Sequence, residues 1–199
     1  MLDLYVIILR EIIKHRGKVM DDLLELYFKE ILNQDKELKD EKTINETFKI
    51  LNAKAEIVYD FILAYYDKMY VKKDYGTNEV FSMMEAHILT DIVDADGITV
   101  TELAKKWKKT TSSVSQIIRN FLKNEYIYRV NSKEDAKVFY LYPYEKAKEF
   151  ALLHKKFDIQ HIKNLDVTLA EKFSVDELIT FNKVLREYAD LLLNNKFKA

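Results

Sequence analysis

The stretch KKTTSSVSQIIRNFLKNEYIYR, residues 108–129, carries the most informative pattern in this chain. It opens with two lysines and four hydroxyl residues, and apolar side chains follow at helical spacing, at Val114, Ile117 and Ile118. The opposite face of the same helix carries Ser, Gln and Arg. A surface helix needs charge for solubility, but it does not need short uncharged hydrogen-bonding groups. We therefore expect this face to contact a binding partner.

The residues on both sides of this stretch complete a winged helix-turn-helix. Upstream, Thr99 and Glu102 have the spacing of a capping box and predict a short helix that runs through Trp107. Downstream, YIYRV (126–130) and KVFYLY (137–142) are rich in β-branched and aromatic residues, and NSKEDA (131–136) is typical of a hairpin tip. Two short helices followed by a hairpin have the order of this motif, and Ala104 is the small residue at which the helices touch.

The rest of the chain has the pattern of helices. Capping boxes are predicted at four places: Thr43/Glu46, Ser82/Glu85, Thr99/Glu102 and Ser174/Glu177. Helical apolar stripes occupy residues 44–69, 84–93 and 178–192, and Gly97 is well placed as the left-handed cap of the second. A further helix is predicted over residues 144–162, with Pro143 in its first turn. Outside the wing, no segment has the pattern of a strand.

The predicted fold class is mainly α with a small β-hairpin wing, a winged helix-turn-helix domain plus a helical dimerisation region. Residues 1–42 are expected to form an N-terminal helical extension, of which 1–32 are expected to be helical and to pack on the dimer core or on the partner subunit. Residues 43–81 and 142–199 form the dimerisation region, and residues 82–141 form the DNA-binding domain.

The charge distribution favours a nucleic-acid partner. The chain has a net charge of −1, but residues 99–140 carry nine Lys or Arg against four acidic residues, a local charge of +5 that leaves −6 elsewhere. A basic segment on an acidic body is typical of a surface that contacts phosphates. A solvated charged face is the alternative that charge alone leaves open.

The composition excludes several other classes of protein. The chain has no cysteine, which rules out disulfides and thiolate metal sites and suits a cytoplasmic protein. No apolar run approaches the roughly 20 residues that span a bilayer, so no membrane contact is expected. The sequence has no nucleophile elbow, no phosphate-cradling glycine loop and no paired metal motif. We therefore expect neither an enzyme nor a cofactor.

The segment ELAKKW…SSVSQIIRNFLKNEYIYRVNSKEDAKVFYLYP resembles the MarR family of transcriptional regulators. Asp135-Ala136-Lys137 stands where that family has an Asp-x-Arg signature at the wing tip, and Lys108–Lys109 stands at a turn that often contains glycine. The resemblance covers about residues 44–195. It implies a homodimer built by the terminal helices, in which two winged motifs read a near-palindromic operator as a transcriptional regulator, with repression the favoured mode.

The residues expected to contact DNA are Lys108, Lys109, Thr110, Thr111, Ser112, Ser113, Ser115, Gln116, Arg119, Lys133 and Lys137. The hydroxyls and free N–H groups at the start of the recognition helix bind phosphate. In the major groove, Gln116 can read adenine and Arg119 can read guanine. The two wing lysines reach the neighbouring minor groove or its phosphates.

Four histidines raise the question of zinc: His15, His87, His154 and His161. Some MarR-like regulators sense zinc with histidines on the helices that carry His87 and His154, together with an acidic residue of the long first helix, for which Asp67 is the candidate. Zinc needs about four converging ligands. Ordinary partly buried or surface histidines are the favoured interpretation, and a zinc-responsive regulator is the alternative.

Two further alternatives concern effectors and partners. Tyr59, Phe61, Tyr65, Tyr66 and Tyr70 crowd the end of the long helix, where MarR-like dimers hold small aromatic effectors. Packing in a dimer core is the favoured interpretation of these residues. The other alternative is a winged-helix module that binds a protein and no DNA. The Ser, Gln and Arg over residues 112–119 argue against it, because an acidic or apolar face would suit that role better.

Overall fold

The computed structural model describes residues 25, 40–135 and 138–194. The predicted helix over residues 1–32 and the side chain of Lys137 lie outside the residues that the structure describes. The chain divides into two compact units, Met1–Tyr70 and Val71–Ala199. The elements are α1 (Glu41–Tyr70), β1 (Lys73–Asp74), β2 (Val80–Phe81), α2 (Met83–Asp94), α3 (Val100–Lys106), α4 (Thr111–Lys123), β3 (Ile127–Asn131), β4 (Phe139–Pro143), α5 (Glu145–Ala170) and α6 (Val175–Asn194).

The described part of the first unit is mainly the long helix α1. The carboxylate of Asp40 accepts hydrogen bonds from the backbone N–H of Thr43 at 2.9 Å and from its hydroxyl at 2.7 Å. The predicted Thr43/Glu46 capping box is therefore wrong, because Thr43 lies inside the helix and Asp40 caps it. A carboxylate at this position satisfies an N–H group that the helix itself leaves without a partner.

A short hairpin, β1–β2, opens the second unit. Lys73 pairs with Phe81 and Asp74 pairs with Val80, antiparallel. One carboxylate oxygen of Asp74 accepts hydrogen bonds from the N–H groups of Gly76, Thr77 and Asn78 and closes the turn. These hydrogen bonds also lower the pKa of Asp74. This hairpin was not predicted from the sequence, because strands of two residues show no alternation of apolar and polar side chains.

Helices α2 and α3 begin as predicted. Ser82 and Glu85, and Thr99 and Glu102, form complete capping boxes. The predicted role of Gly97 as the cap of α2 is wrong, because the helix ends at Asp94 and its C-cap, Ala95, is extended. Gly97 instead has a φ of +87° in the turn that leads to Ile98.

The wing is an antiparallel hairpin in which Ile127 pairs with Pro143 and Asn131 pairs with Phe139. Ile98 forms an additional antiparallel bridge with Leu141, so the chain before α3 pairs with strand β4 of the wing. The predicted hairpin is confirmed. Pro143 ends β4 and does not begin α5, so the predicted helix over 144–162 starts at Glu145 and extends to Ala170.

One apolar core holds α2, α3, α4, the wing and the first half of α5 together. Its fully buried members include Ile88, Leu89, Ile92, Leu103, Val114, Phe121, Leu141 and Phe150. Ala104, the predicted contact between α3 and α4, is 4% exposed. By contrast, α6 has no buried residue along its length, although its capping box at Ser174 and Glu177 forms as predicted. Within residues 40–135 and 138–194, no helix is both long and apolar enough to cross a membrane.

Candidate nucleic-acid interface

The turn between α3 and α4 is built by a Schellman motif with a lysine at its left-handed position. Lys108 has a φ of +49°, and its N–H donates to the carbonyl of Lys105 at 3.2 Å. The N–H of Lys109 donates to the carbonyl of Ala104 at 3.0 Å. These two bonds define the motif, in which glycine is the usual left-handed residue. The departure from glycine that the sequence shows is therefore accommodated without a change in the geometry of the turn.

The recognition helix α4 presents an exposed hydroxyl-rich start. Thr110 is its N-cap, and the Thr110 side chain accepts a hydrogen bond from the N–H of Ser113 at 3.2 Å. The N–H groups of Thr111 and Ser112 have no partner within the helix, as in the first turn of any α-helix. Together with the positive end of the helix dipole, these groups suit a phosphate oxygen.

The two faces of α4 separate as the sequence predicts. Val114, Ile118 and Phe121 are buried in the core. Ser112, Gln116 and Arg119 are exposed, and Ser115 is half-buried beside them. An amide and a guanidinium three residues apart on an exposed helix face can reach base edges in a major groove.

The basic residues of the predicted interface are also exposed. Lys108 and Lys109 stand at the turn, and Lys133 stands at the tip of the wing. On the same hairpin, the guanidinium of Arg129 lies 5.2 Å from the ring centre of Phe139, which holds it along the wing surface. The second unit therefore carries two groups of basic side chains, one at the turn before α4 and one on the wing.

A separate polar cluster lies between α2 and α5. The ligand atoms of His87, His154 and Asp158 all lie within 4.8 Å of one another, and we name these three residues the histidine cluster. One oxygen of Asp158 is 3.4 Å from Nε2 of His87 and 3.2 Å from Nε2 of His154. The side chain of His154 is 2% exposed, whereas those of His87 and Asp158 are partly open to solvent.

The hydrogen bonds of Thr90 fix the tautomer of His154. The hydroxyl of Thr90 donates to the carbonyl of Ala86 at 2.9 Å, so its oxygen accepts at 2.8 Å from Nδ1–H of His154. Burial lowers the pKa of His154 below its ordinary value, which favours the neutral ring. In that tautomer Nε2 carries a lone pair, and it has no hydrogen-bond partner among the described residues.

The histidine cluster therefore has the donor set and the orientation of a cation site. A lone pair that faces a carboxylate oxygen at 3.2 Å is repelled unless a proton or a metal cation lies between them. Two ligands of a tetrahedral zinc, each about 2 Å from the metal, are roughly 3.3 Å apart, close to both observed separations. The bond from Thr90 is the kind of outer-shell contact that orients a metal-binding histidine.

Sequence reasoning identified two of these three residues. His87 and His154 do come together, and the carboxylate that joins them is Asp158, four residues after His154 on α5. That spacing places both side chains on one helix face, and it is the sequence pattern from which Asp158 could have been predicted as a partner of His154. Asp67, the predicted acidic partner, lies on α1 in the other unit.

The aromatic residues at the end of α1 are exposed. Tyr59, Phe61, Tyr65, Tyr66 and Tyr70 are each more than 40% exposed. Phe61 stacks on Tyr65 with ring centres 6.0 Å apart, and Tyr66 contacts Tyr70 at 4.5 Å. By helical spacing Phe61 and Tyr65 share one face of α1, and Tyr59, Tyr66 and Tyr70 share a roughly opposite face, so the helix exposes aromatic side chains on two sides.

Residues 81–139 match the model of the MarR family. Over 114 residues, the chain is 23% identical to the uncharacterized HTH-type transcriptional regulator YhjH of Bacillus subtilis. That match spans 57% of this chain and 65% of YhjH.

Solved structures of similar fold include three regulators. FabT of Streptococcus pneumoniae in complex with DNA is 23% identical, with 79% of this chain and 100% of FabT covered and a TM-score of 0.50. The adhesin competence repressor AdcR of Streptococcus pyogenes is 25% identical over 71% of this chain and 97% of AdcR, with a TM-score of 0.53. The zinc-responsive ZitR of Lactococcus lactis is 19% identical over 71% of this chain and 99% of ZitR, with a TM-score of 0.57. The expected winged helix-turn-helix fold is confirmed.

Proposed function

We propose that the protein is a sequence-specific DNA-binding transcriptional regulator of the MarR type, and the match of residues 81–139 to the MarR family model supports this proposal. The single observation that carries this proposal is the exposed face of α4. Ser112, Gln116 and Arg119 present hydrogen-bonding groups to solvent, while the opposite face of the helix is fixed in the core. The proposal places the protein in the cytoplasm with the DNA that it reads, and repression is the favoured mode of action.

Fluorescence anisotropy with labelled duplexes tests this function. The specific duplex is the DNA upstream of the protein's own gene, and a scrambled duplex of the same composition is the control. We expect the specific duplex to bind at least about a thousandfold more tightly than the scrambled one at physiological salt. Equal affinity for several upstream regions and for scrambled DNA would leave the protein without a sequence-reading function.

We propose further that the protein acts as a homodimer on a near-palindromic operator. In the single chain, α6 and the second half of α5 expose large apolar side chains such as Ile159, Ile162, Phe181 and Leu185. Exposed apolar faces of this extent are typical of a protein–protein interface. A second copy of the chain would present the same faces, and a two-fold dimer would present two recognition helices to two half-sites.

The exposed aromatic residues of α1 belong to the same proposal. We favour a role for them in the dimer core, because large aromatic side chains contribute most to such interfaces. A small aromatic effector bound beside these tyrosines stays a prediction.

A second candidate function, regulation by a divalent metal, is favoured by the histidine cluster. His87, His154 and Asp158 would hold the ion, with two imidazole nitrogens and a carboxylate oxygen as ligands and water or a further group completing the shell. A bound ion would supply positive charge between Nε2 of His154 and the Asp158 carboxylate, and so would tie α2 to α5. The partial exposure of His87 and Asp158 leaves a path for the ion from solvent.

Competition with a chromophoric zinc chelator tests the metal site. We expect one Zn²⁺ per chain, and we expect Asp158→Asn to weaken the affinity by at least about tenfold. Asp166→Asn is the matched control, since it makes the same change at an exposed position of the same helix. Equal zinc affinity in all three proteins would show that the histidine cluster is not the site.

A further inference from the structure

Trp107 lies between the histidine cluster and the turn that precedes the recognition helix. Its ring centre is 5.7 Å from that of His87, with the two planes inclined by 39°. Its indole N–H donates to one carboxylate oxygen of Asp91 at 2.9 Å. His87 and Asp91 are four residues apart, so a single face of α2 contacts both the ring and the polar edge of the indole.

The backbone of Trp107 leads directly into α4. Trp107 is the C-cap of α3, and its N–H donates to the carbonyl of Leu103. Lys108 and Lys109 follow in the Schellman turn, and Thr110 is already the N-cap of α4. Because both intervening residues are hydrogen-bonded to α3, a displacement of Trp107 cannot be absorbed by a flexible linker. It would move the start of the recognition helix.

We infer that Trp107 is the positioning residue through which the occupancy of the histidine cluster reaches the recognition helix, an inference that rests on the metal-responsive function proposed above. A ligand on Nε2 of His87 fixes the plane of that ring, and the ring contacts the indole. The other edge of the indole is held by Asp91, whose second oxygen is bound by Lys106 at 2.7 Å. A reorientation of His87 is therefore passed to Trp107 or breaks its bond to Asp91.

The polar contact of Trp107 distinguishes this role from simple packing. Leu103 and Ala104 of α3 are buried in the core, whereas Trp107 is only partly buried and packs against the edge of that core. An apolar side chain would cover that edge equally well. The indole adds a donor that is matched to Asp91, and this donor is what a relay requires.

The intrinsic fluorescence of the protein gives a direct readout, because Trp107 is the single tryptophan of the chain. Zn²⁺ is titrated into the full-length protein, and tryptophan emission is recorded beside the chelator competition. We expect the emission to change and to saturate at the same zinc concentration as binding. Asp158→Asn should shift both curves together. Emission that stays constant while zinc binds would overturn the inference.

The Trp107→Phe variant separates relay from binding. We expect its zinc affinity to stay within about twofold of the wild type, because phenylalanine is not a ligand and keeps an aromatic ring against His87. In the wild type, zinc should change the affinity for operator DNA by about fivefold or more, a typical coupling between two sites. In Trp107→Phe this change should fall below about twofold, and Asp91→Asn, which keeps an acceptor for the indole, should retain it.

The outcomes identify which proposal fails. A full zinc effect on DNA binding in Trp107→Phe overturns the relay and leaves the metal-responsive function intact. Zinc that binds the wild type without changing its DNA affinity overturns both the relay and metal regulation. Absence of specific DNA binding with and without zinc overturns the regulator itself, and the relay with it.

Discussion

Lys108 shows how a single residue can depart from the usual pattern of a motif and still preserve its geometry. Its φ of +49° costs an L-residue more than it costs glycine, because the Cβ atom approaches the carbonyl oxygen. Glu125 has a φ of +53° in a second Schellman motif, at the end of α4. Lys108 belongs to the predicted DNA-binding face, and a positive charge at that place is a reason to retain a strained lysine there.

Lys108→Gly should therefore raise stability and weaken DNA binding at the same time. We expect the midpoint of thermal unfolding to rise by roughly 2–4 °C, which corresponds to about 1 kcal/mol for a chain of this size. The loss of one phosphate contact should lower the salt slope of DNA binding by about one unit. Glu125→Gly is the control, since it relieves the same strain without removing a positive charge. A drop in stability for both variants would contradict the assignment of strain.

Arg119 can act on DNA through a base or through a phosphate, and two substitutions distinguish these roles. If it pairs with guanine, Arg119→Ala should cost about 1–3 kcal/mol on the operator and relax the preference at one position. Arg119→Lys should restore little of this loss, because an ammonium lacks the planar fork of the guanidinium. Binding titrations on specific and scrambled duplexes measure both effects. Full recovery in Arg119→Lys would indicate a phosphate contact instead.

Among the elements, the pairing of the wing with the segment around Ile98 depends on a close approach between Gly97 and Tyr142. The bridge between Ile98 and Leu141 brings the chain after α2 against β4, and Tyr142 packs over Gly97. A Cβ atom built on Gly97 would lie 2.6 Å from the Tyr142 hydroxyl oxygen. Tyr142 is itself stacked on Tyr128, with ring centres 5.7 Å apart, which restricts its movement. Glycine at position 97 therefore permits the bridge between Ile98 and β4.

Gly97→Ala should destabilise the winged segment by about 1–3 kcal/mol, since it combines a strained φ with a steric conflict. Denaturant unfolding measures the change. In a Tyr142→Leu background the conflict is relieved while the strained φ remains, so the same substitution should cost less. An equal cost in both backgrounds would show that Tyr142 contributes nothing to the requirement for glycine.

For the whole molecule, the exposed apolar faces of α5 and α6 lead us to expect a homodimer. The second half of α5 and the whole of α6 bury little in the single chain, and side chains such as Val184 and Leu193 are more than 60% exposed. A helix that is apolar on a solvent-exposed face requires a partner surface. The proposed homodimer would also determine the length of the operator, because two recognition helices would contact half-sites about one helical turn apart.

Sedimentation velocity at micromolar concentration should show a species of about twice the 23.6 kDa chain mass. Leu185→Glu places a charge on the apolar face of α6 and should favour the monomer, with a loss of operator affinity because half the contacts disappear. Lys183→Glu introduces the same residue at an exposed polar position of that helix and should remain dimeric. A wild-type protein that sediments only as the 23.6 kDa chain would contradict the dimer.

The features that the sequence predicted correctly depend on neighbours within a few residues. The capping boxes at Ser82, Thr99 and Ser174, the two faces of α4 and the wing hairpin are examples. A capping box joins residues three apart, and a helix face follows from the 3.6-residue period, so each is visible in a short window of sequence. Thr43 was wrongly predicted as the N-cap of α1. Both Asp40 and Thr43 have side-chain oxygens that can cap a helix, and the helix begins at Glu41, directly after Asp40.

The contacts that could not be predicted from the sequence join residues far apart in the chain. Thr90 and His154 are 64 positions apart, yet they determine the tautomer that turns Nε2 of His154 toward Asp158. Ile98 reaches Leu141 through the turn at Gly97, and Trp107 reaches Asp91 across two helices. Each of these contacts depends on how complete helices and strands pack around one core. Amphipathic periodicity determines which face of an element is buried, but it does not determine which residue of a neighbouring element that face will meet.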